Sequence, residues 1–344
     1  MDKSDKIIVG ISVGDINGIG IEIILKTFED KRMLEFCTPV IFASNKLVSY
    51  HKKALNLNNN VHGITSLDKV VQNKVNLFNT WKEEVKVDLG QTTDEGGKYA
   101  FKSLSSATKA LKNNQIDVLV TAPINKNNIQ SDEFTFPGHT EYLEEQLNGK
   151  SLMILMTDEL RIGLITGHIP VSKISEAITP KIIKDKVEVM YNTLKQDFNI
   201  NKPKIAILGL NPHCGDNGII GNEDQEIIKP TIEEIKETGK LVFGPYAADG
   251  FFGSKTYKQF DGVLAMYHDQ GLAPFKALSF GNGVNFTAGL DKIRTSPDHG
   301  TGIDIAGKNK ANPDSFKEAL FSAIQIFKNR NEYTQLTKNA LAVK

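Results

Sequence analysis

Five of the seven histidines, His139, His168, His213, His268 and His299, stand in short motifs containing Gly or Pro, while His51 and His62 lie elsewhere. Imidazole titrates near neutrality and ligates metals readily, so histidines placed in loops are candidates for proton transfer or metal binding. Three of them come just after an aliphatic run. Ile162-Gly163-Leu164-Ile165 leads into Thr166-Gly167-His168, Ile205-Ala206-Ile207-Leu208 into Asn211-Pro212-His213, and Val263-Leu264-Ala265-Met266 into Tyr267-His268-Asp269-Gln270-Gly271. One such histidine is more often a packed or surface residue. Three in equivalent positions could supply three neutral imidazoles and leave a fourth position open for substrate, the arrangement of a catalytic zinc-type site. Their separations, 213−168=45 and 268−213=55, match no local metal motif, so any such site must be assembled by the fold.

Lys276, Asn285 and Arg294 follow in a stretch that also holds Gly271, Gly281, Gly283 and Gly289. Cations offered together with close backbone approach suit a phosphate or carboxylate. Either cation by itself reads as a solvated surface charge, although Phe275 and Phe280 around Lys276 argue against simple exposure. A second anion position is expected at Gly138-His139-Thr140-Glu141. There Thr140 is expected to cap a helix running through Tyr142, Leu143 and Leu147, leaving free N–H groups at its start; an ordinary helix cap is the plainer alternative. Familiar nucleotide motifs fail. Gly14, Gly18 and Gly20 do not make G-x-G-x-x-G, and Gly149-Lys150-Ser151 has Glu144 where a P-loop needs its first Gly.

The elements that must position these residues repeat one grammar, a short aliphatic run followed by a polar, Gly-rich motif. Besides the three histidine cases, Ile7-Ile8-Val9 leads into Gly14-Asp15-Ile16-Asn17-Gly18-Ile19-Gly20, and Val118-Leu119-Val120 into Thr121-Ala122-Pro123-Ile124-Asn125-Lys126. Such runs read as buried strands, and helical segments lie between them. The clearest starts at Thr179 as N-cap with Pro180 next, and carries Ile183, Val187, Met190, Leu194 and Phe198 at helical spacing. Alternating strands and helices imply an α/β fold with a largely parallel sheet, whose ligands bind beyond the carboxyl ends of the strands. A composite site in a cleft between two α/β/α domains is the expectation.

Composition bounds the partners. Lys+Arg and Asp+Glu are both 41 among 344 residues, which gives no overall field toward nucleic acid or an anionic membrane. Ile7 to Val13 is too short for a membrane span. Cys37 and Cys214 are the only cysteines, which excludes a disulfide framework and fits a cytoplasmic protein.

The segment Asp298-His299-Gly300-Thr301-Gly302-Ile303-Asp304-Ile305-Ala306-Gly307-Lys308, followed by Ala311-Asn312-Pro313, resembles the H-G-[ST]-x-x-D-I-A-G…A-N-P signature of isocitrate and isopropylmalate dehydrogenases. Together with the motifs above and Phe136-Pro137-Gly138-His139-Thr140-Glu141, it makes the chain similar, over roughly residues 7 to 320, to the 4-hydroxythreonine-4-phosphate dehydrogenase branch of that superfamily. The resemblance implies a non-Rossmann fold with a discontinuous domain, 1–137 plus 275–344, carrying the dinucleotide loop, and an inserted domain, 138–274, carrying metal ligands and dimer contacts. It implies NAD or NADP against His299, Gly300, Thr301, Asp304, Ile305, Ala306 and Asn312. A divalent ion such as Zn2+, Mg2+ or Co2+ is implied on His168, His213 and His268. Substrate would be held by His139, Thr140, Lys276, Asn285 and Arg294, with Lys276 also a catalytic candidate. Asp249 is a candidate for orienting the substrate amine or relaying a proton, its plain alternative being a helix cap. The implied assembly is a homodimer with shared active sites. The implied reaction is oxidation of 4-phosphooxy-L-threonine at C3 followed by decarboxylation to 3-amino-2-oxopropyl phosphate, in vitamin B6 synthesis. Alternatives are a paralogous dehydrogenase for a threonate or erythronate phosphate or a dihydrodiol, a phosphate acyltransferase, and a non-catalytic metal or phosphate sensor.

Overall fold

The computed structural model describes residues 6–279 and 281–339. All five aliphatic runs are strands. In chain order the strands are β1 (Ile8–Ser12), β2 (Thr38–Ala43), β3 (Val61–Ile64), β4 (Val75–Asn79), β5 (Val118–Thr121), β6 (Gly149–Met156), β7 (Arg161–Leu164), β8 (Lys204–Leu208), β9 (Leu241–Tyr246), β10 (Gly262–Ala265), β11 (Val284–Leu290) and β12 (Ile293–Pro297). Strands covered on both faces carry unbroken apolar runs, which is why the runs were readable without alternation.

The chain divides into two compact units, one comprising residues up to 148 with 290–327, the other 149–289 with the residues from 328. The divisions fall at Asn148/Gly149, Gly289/Leu290 and Phe327/Lys328. His139 and Thr140 go with Arg294, while Lys276 and Asn285 go with the three strand-end histidines.

In the first unit the strand order is β3-β4-β2-β1-β5-β12, and every pair is parallel. The chain leaves β1 toward β2 on one side and returns to β5 on the other. This reversal puts the loops after β1 and β5 at the switch point where an open α/β sheet binds ligands. Asp15 N–H donates to the Pro123 carbonyl at 2.9 Å, joining those two loops. Leu104, Leu111, Leu119, Phe134 and Leu143 are among the buried residues of the core on this sheet.

In the second unit the order is β11-β6-β7-β10-β8-β9. β6 and β7 form an antiparallel pair, whereas β7, β10, β8 and β9 are parallel. The three histidine loops therefore leave the same edge of adjacent strands. The expected helix runs Pro180–Gln196, and the Thr179 hydroxyl accepts from Ile182 N–H at 3.3 Å. Ile183, Val187, Met190 and Leu194 are buried along it, while Phe198 lies past its end. The helix closes on the sheet over Gly163 and Gly262. A Cβ there would stand 2.9 Å from Met190 Cε and 3.0 Å from Met190 Sδ, respectively. Among the described residues no helix is long and apolar enough to cross a membrane.

Candidate active site

In the second unit, the ends of β7 and β10 bring His168 and His268 together, with ring centroids 5.5 Å apart. The pairing is set by backbone. Thr166, two residues before His168, donates its N–H and its hydroxyl to the Met266 carbonyl, at 3.2 and 2.6 Å. His268 Nδ1 lies 2.7 Å from an Asp269 carboxylate oxygen. With the proton on Nδ1 donated to that carboxylate, Nε2 keeps its lone pair for a cation, the usual way a carboxylate orients a ligating imidazole.

His213 sits in the turn Pro212–Gly215 after β8, exposed, with φ of 52°. Left-handed backbone is costly for a residue with a Cβ, and Cys214 beside it is left-handed as well, at φ 53°. The turn is held from beneath by Asp224, which is fully buried. One carboxylate oxygen accepts from Leu210 N–H at 2.8 Å, the other from Asn211 N–H at 3.0 Å and from Asn211 Nδ2 at 3.1 Å. Cys214, beside His213, carries a half-buried thiol. Burial, then the charges of Asp224 and Asp249, push its thiol up to about 11. Among the described residues, no group of three His, Cys, Asp or Glu side chains is placed to hold a metal within one chain.

Asp249 lies exposed in the first turn of the helix Ala248–Gly253, whose N-cap is Ala247 with no side-chain cap, so the cap reading for Asp249 is corrected. Lys276 is exposed in the last turn of the helix His268–Ser279, and Phe275 beneath it is buried. Phe280 lies outside the described residues. Asn285 on β11 has a buried side-chain oxygen with no hydrogen-bond partner.

The first unit gathers a separate polar cluster at the ends of β5 and β12. Arg294 is only 2% exposed. Its Nε and Nη2 donate to the Thr121 hydroxyl at 3.0 and 2.6 Å. Burial pulls the guanidinium down to about 9, with Glu141 acting the other way, so it stays charged near neutrality. His139 has its Nε2 buried with no hydrogen-bond partner. Burial, then the positive charges of Arg294 and Lys126, hold this imidazole well below its ordinary value and therefore neutral. Thr140 is not the cap. The helix is His139–Gln146 and its N-cap is Gly138, whose extended backbone supplies no side-chain acceptor. Thr140 stands inside the first turn, and the opening N–H groups are left without the side-chain cap expected for them.

The loop after β12 lies in the same unit. The Thr301 carbonyl accepts from Ile19 N–H at 2.9 Å, and a Cβ at Gly302 would stand 2.8 Å from Ile19 Cδ1. Ala311 N–H and Lys26 Nζ both reach the buried Glu22 carboxylate, each at 2.8 Å. The loop is therefore clamped to the helix Gly20–Thr27 from both ends. Ile303–Ile305 forms a single 3-10 turn, Asp304 is exposed and Ala306 is buried. His299 gives Nδ1 to the Gly300 carbonyl at 2.9 Å and has Nε2 buried with no partner. The Asn312 side-chain oxygen accepts from Asp314 N–H at 2.9 Å, so this Asn starts the last helix.

The family model for pyridoxal phosphate biosynthetic protein PdxA matches residues 35–323. The chain belongs to the PdxA family. Among curated relatives, the 4-hydroxythreonine-4-phosphate dehydrogenase of Bacteroides thetaiotaomicron is 52% identical over 341 residues, 98% of this chain and 94% of that one. Its namesake from a Sulfurihydrogenibium species is 43% identical over 321 residues, 92% and 98% of the two chains. Among solved structures, the 4-hydroxythreonine-4-phosphate dehydrogenase of Klebsiella pneumoniae has a TM-score of 0.81 at 29% identity, covering 95% of this chain and 99% of that one. A terephthalate dihydrodiol dehydrogenase from Burkholderia xenovorans, at TM-score 0.61 and 22% identity over 93% and 98% of the chains, shares the fold. As a PdxA-family member this chain is an enzyme of the oxidoreductase class.

Four residues that act on the candidate residues of one unit or the other went unassigned from sequence. Thr121, Lys126 and Glu141 lay in motifs that were noticed, but only the fold shows that Thr121 and Glu141 act on Arg294 and Lys126 on His139. Asp224 carried no signal. It is one acid among many, 224−213=11 residues from the histidine whose turn it holds.

Proposed function

We propose that the chain oxidises the C3 hydroxyl of 4-phosphooxy-L-threonine with NAD(P)+, and that the β-keto acid then loses CO2 to give 3-amino-2-oxopropyl phosphate, a step in vitamin B6 synthesis. The observation that carries this reading is the pairing of His168 and His268 at 5.5 Å in a chain 52% identical to a protein of that name. Two imidazoles bound to one tetrahedral ion at about 2.0–2.1 Å place their ring centroids roughly 5 Å apart, so the pair fits a divalent metal. When bound, the ion would supply Lewis-acid polarisation of the C3 oxygen. His168 and His268 would hold it, and Asp269 would keep His268 Nε2 presented. We assign His213 as the third donor. One chain supplies no three-donor group among the described residues, which supports a donor from a second copy. Exposed Ile169 and Val171 beside His168, and Ile219 and Ile220 beyond His213, give that copy an apolar surface to cover.

In the first unit, Arg294 and the uncapped start of the His139–Gln146 helix would bind the substrate's anionic groups, Lys126 adding charge and neutral His139 a hydrogen bond. In the second unit, Lys276 and Asn285 are the residues we assign to substrate, the buried, unpartnered Asn285 oxygen suiting an N–H or O–H donor. Asp249 would orient the substrate amine. The clamped loop with its buried orphan His299 Nε2 fits a nicotinamide dinucleotide, which accepts the hydride. The cytoplasm is the compartment we assign, supported by two free cysteines. The test follows NADH absorbance with synthetic 4-phosphooxy-L-threonine, before and after chelation and after refilling with Zn2+, Mg2+ or Co2+. No turnover by the metal-loaded protein with either NAD+ or NADP+ would reject the reading.

A further inference from the structure

Met266, the residue after β10, is the hub of a three-strand tie. Its carbonyl accepts from Thr166 of the β7 end, as described above. Its N–H donates to Gln270 Oε1 at 2.7 Å, while Gln270 Nε2 donates to the Gly209 carbonyl at the β8 end, at 2.6 Å. β10 lies between β7 and β8, so the carboxamide closes the second half of a bridge that Thr166 begins. Each tie stands just ahead of a histidine. Thr166 and Met266 precede His168 and His268 by two residues, and Gly209, the first residue after β8, precedes His213 by four. Gln270 itself is held in place. It lies in the first turn of the helix His268–Ser279, and Gly271 next to it lets that helix meet the sheet closely. A Cβ at 271 would stand 2.8 Å from Ile162 Cγ2 and 2.9 Å from Ala265 Cβ.

We propose that Gln270 is a positioning residue of the metal site. Its carboxamide, bonded at once to Met266 N–H and Gly209 C=O, fixes how the His268 and His213 segments each leave the sheet, whichever copy's ion each serves. A carboxamide does both jobs from one side chain, its oxygen accepting while its N–H donates. The proposal rests on the reading of His168, His213 and His268 as metal ligands. Residues that hold ligands in place without touching the ion typically change its affinity by about 10–100-fold.

The experiment compares the full-length wild type with Gln270→Glu, Gln270→Met and His268→Ala. Co2+ affinity is measured by calorimetry, the ligand-field spectrum of bound Co2+ is recorded, and the unfolding temperature of each metal-free protein is determined. Gln270→Glu keeps an acceptor for Met266 N–H but faces Gly209 C=O with a second acceptor. Gln270→Met keeps the volume and removes both bonds. The expected result is metal-free unfolding close to wild type in both, with Co2+ affinity reduced about ten-fold or more and an altered spectrum. Wild-type affinity and spectrum in either folded variant would overturn the role of Gln270 while leaving the metal site standing. Loss of affinity only in step with a collapse of the unfolding temperature would also overturn it, since Gln270 would then serve the fold at large. If the wild type binds no Co2+ that His268→Ala abolishes, the metal reading fails and this proposal with it.

Discussion

The Thr121 hydroxyl receives two hydrogen bonds from the Arg294 guanidinium, at 3.0 Å from Nε and 2.6 Å from Nη2, and so joins the end of β5 to β12 around a buried cation. Burying a charge opposes folding unless partners compensate, and here burial outweighs the opposing charge of Glu141 and pulls the group down to about 9. The charge is expected to find part of its compensation in the ligand.

Arg294→Met should therefore separate binding from stability. Loss of charge-assisted hydrogen bonds to substrate should cost about 2–3 kcal/mol, a fall in kcat/KM of about 30–150-fold. The unfolding temperature of the free variant should change far less than binding, because the two bonds lost to Thr121 are set against removal of a buried ion. A phosphate titration followed by thermal shift should stabilise the wild type more than the variant. Equal stabilisation of both would remove Arg294 from the anion site.

His51 makes stability depend on acid. It is fully buried, with Nε2 at 2.9 Å from the Ile16 carbonyl. Burial holds the imidazole down at about 4 against an ordinary 6.5, the Ile16 carbonyl opposing the shift only in part. Because the folded value is the lower one, the unfolded chain takes up its proton first. Stability contributed by the neutral ring is intact above 6.5 and is lost as pH falls toward about 4, a total of about 3 kcal/mol. His51→Gln, which keeps a donor for Ile16 and does not titrate, should flatten urea-unfolding stability over that range. An unchanged slope would show that other groups govern it.

Asp224 should matter to the fold and the metal together. Asp224→Ala leaves Leu210 N–H and Asn211 N–H without their acceptor, at about 1–3 kcal/mol for each buried group left unmade. Denaturant unfolding should register this, and Co2+ affinity should fall with it because the His213 turn loses its anchor. A variant of wild-type stability would show that water replaces the carboxylate.

A shared metal site makes a distinctive forecast for mixed dimers. His213→Ala and His268→Ala proteins should each be inactive alone. If their imidazoles serve one ion from different copies, a co-expressed heterodimer should recover about one native site in two. The His168 pairings are run alongside. Samples shown to contain heterodimer yet inactive in every pairing would mean that each ion is held within one chain.

The strands that carry the histidines were legible because β7, β8 and β10 are buried and written as short, mostly aliphatic runs. The helix Pro180–Gln196 was legible because Thr179-Pro180 starts it and an apolar stripe repeats along it. Thr140 misled for a local reason: it is a good capping residue one position inside a helix that Gly138 begins. The unit boundaries were hidden because the chain changes units at strand ends, Gly149 opening β6 and Leu290 closing β11, and once more inside the helix Asp314–Thr337, with no linker composition to mark any of them. The partnerships of Arg294 with Thr121 and of Gln270 with Gly209 span 294−121=173 and 270−209=61 residues. Nothing in the intervening sequence encodes a hydrogen bond at that range.

From His213 to Gly218 every residue has positive φ, at 52°, 53°, 77°, 43°, 56° and 97°. Left-handed backbone costs a side-chain-bearing residue about 1–2 kcal/mol, and Asn, Asp and Gly bear it best. At position 214 that burden could be shed by glycine, and Cys214→Gly should raise stability by about 1 kcal/mol. At position 213 the same relief would delete the imidazole. A library selected for heat resistance alone should therefore drift to glycine at 213 and go silent as a catalyst, whereas selection for turnover should hold the histidine there and accept a less durable protein.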